Sequence, residues 1–373
     1  MSKVLLIGGG LTSAVTASIL TKSNQLSNLE LSVWDKARGC GGRMSTSRLA
    51  TSKSSCSADL GAQYITATPE YAKLHSQYYN ELKSNEILTT LKLPIEGQKP
   101  NATGTTNYVC PRGSSSIVKH FFKKAAIQVK FGMTVSRLEN NAKQWKVITE
   151  AGDEEYFDAV ILTMPVPQIL ELISKSPKMN LVEGQPTSDM LVSQLKSVKY
   201  SSRYAIALLY DCDNENEKEV LKRTITLDNG SCAKYLSGDS IFRYVSLDSY
   251  KRANTSNPSS SNMIPITVVF HTSVPFGIEH VDKTPSEVEP LLINHIEKLF
   301  PSWPQPAVVK CQKWRYSQVQ TSYPGEPGCL ELIKFPLLLA GGDAFTHSNF
   351  DGCIRSAEAV ATKLFEGMTG ECN

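Results

Sequence analysis

Near its start the chain runs Lys3-Val4-Leu5-Leu6-Ile7-Gly8-Gly9-Gly10-Leu11-Thr12-Ser13-Ala14. A short apolar strand ends in glycines, and a helix-compatible stretch, Ala14 to Leu20, follows at once. That order suits a dinucleotide pyrophosphate. Gly8 permits a tight turn, Gly10 lets the backbone approach the phosphates, and the amides opening the helix face their charge. The third fingerprint position holds Ser13 where Gly or Ala is usual, which predicts slightly looser helix–strand packing. A second apolar run, Leu29-Glu30-Leu31-Ser32-Val33-Trp34, ends in Asp35. An acid roughly 20 to 25 residues past the glycines accepts hydrogen bonds from an adenosine ribose, and it repels a 2′-phosphate. A solvated strand-end aspartate is the plainer alternative.

Two further stretches point at the same kind of ligand. Gly41-Gly42-Arg43 offers another close backbone approach and a permanent cation beside phosphates. Proteins that bury an extended flavin dinucleotide use such a stretch, whereas a nicotinamide-binding Rossmann domain has no need of it. Near the other end, Phe335 to Ala340 reads as a buried strand, followed by Gly341-Gly342-Asp343 and a helix from about Gly352 through Ala357 and Leu364. Asp343 there is placed either to bind a polyol, such as the ribityl chain of a flavin, or to cap the helix. No Gly-x-Ser-x-Gly elbow is present, and catalysis would rest on positioning rather than on a nucleophile.

These residues need a scaffold, and the chain has room for one. Its 373 residues, 41% hydrophobic and 20% charged, suit two globular domains. A net charge of +3 without basic blocks excludes nucleic acid as an expected partner. Nine scattered cysteines without a Cys-x-x-Cys pair read as reduced thiols, and six separated histidines give no metal spacing. No run is apolar enough for a membrane helix. The N-terminal apolar core breaks at Gly8 and is too short for a cleaved signal. A cytoplasmic protein is expected, with export by another route left open.

Periodicity supplies the elements. Ala58 to Ile65 reads as a strand, Pro69 to Leu88 as a helix, and Pro94 to Asn107 as a loop or hairpin. A helix starts at Ser114 and continues through Ile117 to Ala126. Ile127 to Phe131 and Thr134 to Leu138 form one β-run around Gly132, and Trp145 to Thr149 pairs with Tyr156-Phe157 around Gly152-Asp153. Asp158 to Met164 is a buried parallel strand that Pro165 and Pro167 end, where the chain is expected to cross into a second domain. Strands at Arg203–Tyr210, Ile241–Leu247 and Pro265–His271, with a helix near Val288–Phe300, predict a largely antiparallel sheet there. The low-complexity segment Asn254–Ser261 reads as a mobile loop.

Taken together, the residues resemble the renalase family. The resemblance is carried by the glycine turn, Val33-Trp34-Asp35-Lys36, Gly41-Gly42-Arg43-Met44 and Asp59-Leu60-Gly61-Ala62-Gln63-Tyr64-Ile65-Thr66. Further along it is carried by Leu162 to Pro167, Tyr200 to Tyr204, His271 to Gly277, Cys311 to Val319, Gly341 to Asp343 and Ser348 to Cys353. It spans essentially the whole chain and is weakest at 99–107, 212–234 and 254–261. It implies an α/β fold: an FAD-binding Rossmann-type domain of the p-hydroxybenzoate hydroxylase type, beside a mixed, largely antiparallel α+β substrate domain. The expected limits are 1–66, 112–165 and 318–373 for the first domain, and 67–111 with 166–317 for the second. Noncovalent FAD is implied at Thr12, Arg43, Gln63 and Tyr64. By the wider flavoprotein pattern Gly8, Gly10, Asp35 and Asp343 join them, and Val135 meets adenine through its backbone. Ser13 and Gly9 are modest departures from the pattern.

The activity this resemblance implies is oxidation of the 2-dihydro and 6-dihydro isomers of NAD(P)H to NAD(P)+. Flavin N5 takes the hydride, and O2 is reduced to hydrogen peroxide. Aromatisation drives hydride loss, so no side-chain base is needed and distance and stacking dominate. Candidates for positioning the substrate are His271, Trp314, Arg315, Tyr64 and Tyr204, with Tyr316 and Arg203 behind them. Two other readings compete: an amine oxidase-like flavoenzyme, and a non-catalytic extracellular signalling protein. No cysteine is convincingly placed to bond a flavin, Cys353 included.

Overall fold

A computed structural model describes residues 2–23, 29–176, 187–211, 215–226, 230–253 and 265–369. It divides into two compact units, Met1–Gly42 with Ile117–Tyr200 and Gln318–Asn373, and Arg43–Ser116 with Ser201–Ser317.

The first unit is built on a six-stranded sheet in the order Cys329–Ile333, Leu337–Gly341, Ala159–Leu162, Ser2–Ile7, Leu29–Asp35, Lys130–Phe131. All neighbours are parallel except the Cys329–Ile333 edge, which is antiparallel. Val4 to Leu6, Val160 to Leu162 and Leu338 to Ala340 have no solvent exposure. Such near-continuous apolar runs belong to parallel strands covered on both faces. Helix Phe350–Thr369 packs on helix Leu11–Leu20 and on strand Leu337–Gly341. A three-stranded antiparallel sheet, Val135–Asn141, Gln144–Thr149 and Glu154–Phe157, adds Leu138, Trp145, Val147 and Phe157 to the core.

The second unit centres on another six-stranded sheet, ordered Val308–Trp314, Arg203–Tyr210, Ile266–Thr272, Phe242–Leu247, Ala233–Tyr235, Ile95–Glu96. It is antiparallel up to its last, parallel pair. Successive side chains alternate between faces. Tyr204, Ile206, Leu208 and Tyr210 enter a core with Val268, Phe270 and the helix residues Val288, Leu292 and Ile296. Ala205, Ala207 and Leu209 face the other way, onto Val269, Leu49, Ala58 and Leu60. Helix Pro285–Leu299 is fixed at its start by a capping box between Thr284 and Glu287, which satisfies two otherwise orphaned amides.

Several sequence expectations shift. The run Ala58 to Ile65 is not one strand: Ser55–Asp59 ends, a loop carries Leu60 to Tyr64, and Ile65–Ala67 begins anew. A Cβ on Gly61 would collide with the Arg43 carbonyl, so only glycine lets the loop pass there. The long helix from Pro69 is two helices, Pro69–Leu74 and Ser76–Ser84, broken at His75. Lys130–Phe131 and Val135–Asn141 belong to different sheets rather than to one β-run. After Pro165 the chain does not leave the first unit but forms helix Val166–Ser174, with Pro at its first turn, whose Val166, Ile169 and Leu172 join that core. Residues 43–66 and 112–116 in turn group with the second unit, because the Thr46–Ala50 and Ser55–Asp59 hairpin buries Leu49 and Ala58 against Ala205 and Val269. The loop expected at 254–261 lies outside the described residues.

Candidate functional site

In the first unit, the glycine turn is tied on three sides. Gly8 has φ +115°, and a Cβ there would sit 2.6 Å from Thr163 Oγ1, so only glycine fits. The Gly8 amide donates to the Trp34 carbonyl at 2.8 Å. The Asp35 carboxylate accepts from the Gly9 amide and, at 2.6 Å, from the Ala37 amide. Gly41 donates to the Gly9 carbonyl at 2.8 Å, and a Cβ on Gly42 would come within 3.7 Å of the Gly10 Cα. Gly10 itself has open space where a side chain would stand. It caps helix Leu11–Leu20, whose first turn holds no acid and no side-chain cap. Those first amides are available to an anion.

Ser13, expected to loosen this packing, instead fastens it. Its fully buried hydroxyl lies 2.8 Å from Thr163 Oγ1, which donates to the Ile7 carbonyl at 3.0 Å. Thr12 is buried beside it, its methyl near Gly341. Val135 follows a segment pinned to the end of strand Leu29–Asp35, with Met133 donating to the Asp35 carbonyl at 3.0 Å and Gly132 to that of Ala37 at 3.1 Å. Asp343 is buried at the start of a short 3-10 turn and accepts from Ser348 Oγ at 2.7 Å. Asn349 accepts from the Gly352 amide at 2.7 Å at the start of the last helix, which begins at Phe350.

In the second unit, one line of cross-strand neighbours runs Tyr235, Tyr244, His271, Ala205, Gln312. Alternation puts Arg203 on the same face as Ala205, and Arg203 Nη1 donates to the Thr272 carbonyl at 3.2 Å. The Arg243 guanidinium stacks 4.8 Å above the Tyr235 ring. Burial, then the Arg243 charge, depress the Arg203 pKa. Tyr64 shares a 2.6 Å hydrogen bond between hydroxyls with Tyr235, and burial with that contact raises its phenol pKa. The His271 ring meets Tyr244 edge-on at 6.0 Å. Burial, then Arg203 and Lys251, push the His271 pKa down to about 3, so the imidazole is neutral at physiological pH.

Beneath this face lies a buried ionic cluster that the sequence reading missed. Asp248 pairs with Lys251 at 2.7 Å and with Arg252 at 2.9 Å. Asp-x-x-Lys-Arg spacing on a helix turn was its one sequence signal. Burial pushes the Asp248 carboxyl up, but Lys251 and Arg252 together outweigh it and hold the pKa below the ordinary value. Asp59, buried beside Asp248, is raised by burial and by that charge. Its carboxylate accepts from Thr46 Oγ1 at 2.6 Å and from the Ser114 amide at 3.0 Å.

The expected positioning residues therefore divide. His271 and Tyr64 belong to the face just described. Tyr204 does not: it points into the helix-side core, and its hydroxyl shares its one proton between the carbonyls of His280 and Lys283, at 2.7 and 2.6 Å. Strand alternation exchanges it for Arg203. Arg315 lies one residue beyond the strand end, exposed, and pairs with Asp282 at 2.7 Å. Trp314 is partly buried against Leu60 and Ala205, donating to the Leu60 carbonyl at 2.7 Å. Arg43 Nη1 approaches the Ser317 carbonyl at 3.5 Å, and its own carbonyl accepts from the Ala62 amide at 2.9 Å. The Gln63 amide is turned into the protein, where Lys251 Nζ donates to it at 2.7 Å. Arg243, Tyr235 and Tyr244 went unnoticed in sequence, because aromatic and basic residues on short strands look like ordinary sheet.

This fold and these cradles define a flavin-dependent oxidoreductase. The chain matches the family of flavin-containing amine oxidoreductases over residues 98–364 and that of NAD(P)-binding Rossmann-like domains over residues 6–82. Mouse renalase is 42% identical over 364 residues, 98% of this chain and 99% of the relative. Within the flavin-containing amine oxidoreductases, this chain belongs to the renalase family. Solved structures share its fold at low identity. A protein from Exiguobacterium provisionally named a protoporphyrinogen oxidase aligns with TM-score 0.67 at 11% identity, covering 98% of both chains. An oxidoreductase from Methanosarcina mazei aligns with TM-score 0.58 at 12% identity, covering 96% of this chain and 99% of its own.

FAD is the cofactor of this family, and the first unit fits it. The open space at Gly10, the uncapped helix start and the Asp35 carboxylate supply room, amide donors and ribose acceptors. A carboxylate has about four lone-pair sites, so Asp35 can hold the turn and still accept from a ribose. Among the described residues, no helix is long and apolar enough to cross a membrane.

Proposed function

We propose that this chain is an oxidase of the 2-dihydro and 6-dihydro isomers of NAD(P)H. One dihydronicotinamide, one proton and one O2 become NAD(P)+ and hydrogen peroxide. FAD, held without a covalent bond, would supply the hydride acceptor at N5 and the route for the electron pair to O2. In the first unit, Gly8, Gly10 and Thr12 take the pyrophosphate end, Asp35 and Val135 the adenosine and Asp343 the ribityl chain. Arg43, Gln63 and Tyr64 are assigned to FAD by the family resemblance and belong to the second unit.

The observation that carries this reading is the pairing of two arginines with a neutral imidazole on one sheet face. Arg203 and Arg243 attract a phosphate-bearing, anionic substrate and repel an ammonium. Desolvation strengthens that discrimination. His271, with its pKa near 3, is no physiological acid, and no deprotonation is required when hydride loss makes an aromatic pyridinium. Tyr64 and Tyr235, both half-buried and joined through their hydroxyls, supply aromatic surface for a ring. An amine substrate finds no anionic partner among these residues.

Anaerobic mixing of the purified protein with each dihydronicotinamide isomer tests the proposal. Rapid bleaching of the flavin absorbance by the 2- and 6-dihydro isomers is expected, with none by primary amines. Bleaching by amines alone would sink it in favour of the amine oxidase reading. Acid precipitation should leave the flavin in the supernatant. The adenosine end of the substrate is taken to be loosely held, so NAD and NADP isomers should reduce the flavin at similar rates.

A further inference from the structure

Gln63 has chemistry on both ends of its amide that fixes which way round it sits. Oε1 faces Lys251 Nζ at 2.7 Å and Ser246 Oγ at 3.1 Å. An ammonium can only donate, so the atom facing it must be the oxygen. Nε2 faces the carbonyls of Asp59 and Gly61, which can only accept, so that atom must be the nitrogen. Lys251 is in turn fully buried and held by Asp248. Amide orientation is ordinarily an assignment made from the network. Here two independent sets of partners give the same answer.

The consequence falls on His271. Gln63 Nε2 lies 3.2 Å from His271 Nε2. The Gln63 nitrogen has no acceptor capacity, so the imidazole Nε2 must be the acceptor and the ring proton must sit on Nδ1. Burial and the charges of Arg203 and Lys251 oppose a second proton. Among the described residues no group bonds Nδ1, and the His271 side chain is only half-buried, which leaves Nδ1 to meet a ligand. A ring nitrogen whose tautomer is set by the bond made at the other nitrogen is a directed hydrogen-bonding group.

We propose that Gln63 is a positioning residue that locks His271 as the neutral Nδ1–H tautomer, and that this N–H is the donor that selects a carbonyl-bearing ring, such as a nicotinamide carboxamide. The choice of substrate rests on the function proposed above; the tautomer does not. An Nδ1–H ring cannot take a proton at the atom facing the ligand, so His271 recognises rather than deprotonates. Rigid donors of this kind discriminate strongly against analogues that lack the acceptor.

The FAD-loaded enzyme labelled with 15N-histidine, with His271→Gln to assign the resonance, reads the tautomer directly at neutral pH. The expected spectrum has the proton on Nδ1 and a bare Nε2. A proton on Nε2, or on both nitrogens, overturns the inference. NAD+ should shift the Nδ1 resonance, whereas the dinucleotide carrying methyl in place of the carboxamide should not. Equal shifts from both, or none from either, remove the donor role. In Gln63→Glu the carboxylate can only accept, so Nε2 should become protonated. KM should then rise about 10-fold or more. A wild-type tautomer in that variant overturns the lock. Should the variant not fold, the wild-type spectrum still decides. If the tautomer is as stated and neither isomer reduces the flavin, the proposed reaction fails while the lock stands.

Discussion

Gly9 and Asp35, 26 positions apart, are joined by a hydrogen bond from the Gly9 amide to the Asp35 carboxylate. The carboxylate also accepts from the Ala37 amide, so one side chain sets both the glycine turn and the chain leaving the second strand. A carboxylate expected to meet a ribose thus also builds the cradle in which the phosphates would lie. In Asp35→Ala both roles go. Charge-assisted hydrogen bonds contribute about 1.5–3 kcal/mol each, so FAD should bind the apoprotein about 10- to 100-fold more weakly. Fluorescence titration with FAD measures this. Wild-type affinity in Asp35→Ala would show that the acid is a bystander.

Gly10 separates fold from cofactor. Its φ of −91° suits alanine, and nothing lies within 4 Å of an added Cβ. Gly10→Ala should therefore leave the melting temperature of the apoprotein within about 2 °C of wild type. The added methyl stands where phosphates would approach, so FAD content on purification should fall sharply. A flavin-replete variant would argue that phosphates lie elsewhere. Gly8→Ala is the contrast: its positive φ and Thr163 make it costly to the fold itself.

How much of this was legible in advance follows from the kind of signal each residue gives. The turn, Asp35 and the buried parallel strands announce themselves because local rules, glycine geometry and continuous apolar runs, dictate them. Strand Arg203–Tyr210 was recognised to the residue, yet Tyr204 was assigned to the wrong face. A strand's two faces are distinguished only by what packs on them, here helix Pro285–Leu299 on one side and the Thr46–Asp59 hairpin on the other. Pro165 looked like a domain boundary because proline ends strands, but proline also starts helices, and Val166–Ser174 is one. The Asp248, Lys251 and Gln63 cluster joins segments nearly 190 positions apart. No periodicity reports such a meeting.

Arg203 should act on substrate binding more than on chemistry. Replacing it by Ala removes one of two cations from the face that bears His271. KM for a dihydronicotinamide isomer should rise about 10- to 100-fold, the loss expected for a desolvated charge contact, with the limiting rate of flavin reduction nearly unchanged. Stopped-flow traces over a range of substrate concentrations separate the two parameters. An unaltered KM would exclude Arg203 from the anion-binding role.

Asp248 is predicted to matter most to stability. Its carboxylate pairs with both Lys251 and Arg252, and all three are buried. Asp248→Ala removes the one side chain that pairs with both cations and leaves only Asp59 near them, a defect of about 3–5 kcal/mol. The variant should melt well below wild type, with recovery in Asp248→Glu limited by the tight packing. Because the folded carboxyl lies below its ordinary pKa, its stabilising effect is present above the unfolded value of 3.8 and is lost as pH falls through the folded one. A variant as stable as wild type at neutral pH would mean that the cluster contributes nothing net.

His271 makes the opposite kind of pH prediction for activity and the same kind for stability. Its folded pKa is about 3, against 6.5 when unperturbed. The ring is thus neutral throughout the range of about pH 5 to 8 in which histidines usually titrate, and kcat/KM should show no limb belonging to it there. Between 6.5 and about 3 the unfolded chain holds a proton on this ring that the folded chain does not. Stability from this group is therefore complete above 6.5 and declines as pH falls towards 3. Comparing His271→Gln with wild type isolates both effects, since glutamine keeps a polar group and cannot titrate. The variant's melting temperature should fall less steeply below about pH 6 than that of wild type, while the shape of its kcat/KM profile is unchanged. A bell-shaped wild-type profile whose acid limb disappears in His271→Gln would mean that the imidazole takes up a proton near pH 6, and would place a working base where the desolvated ring beside Arg203 and Lys251 excludes one.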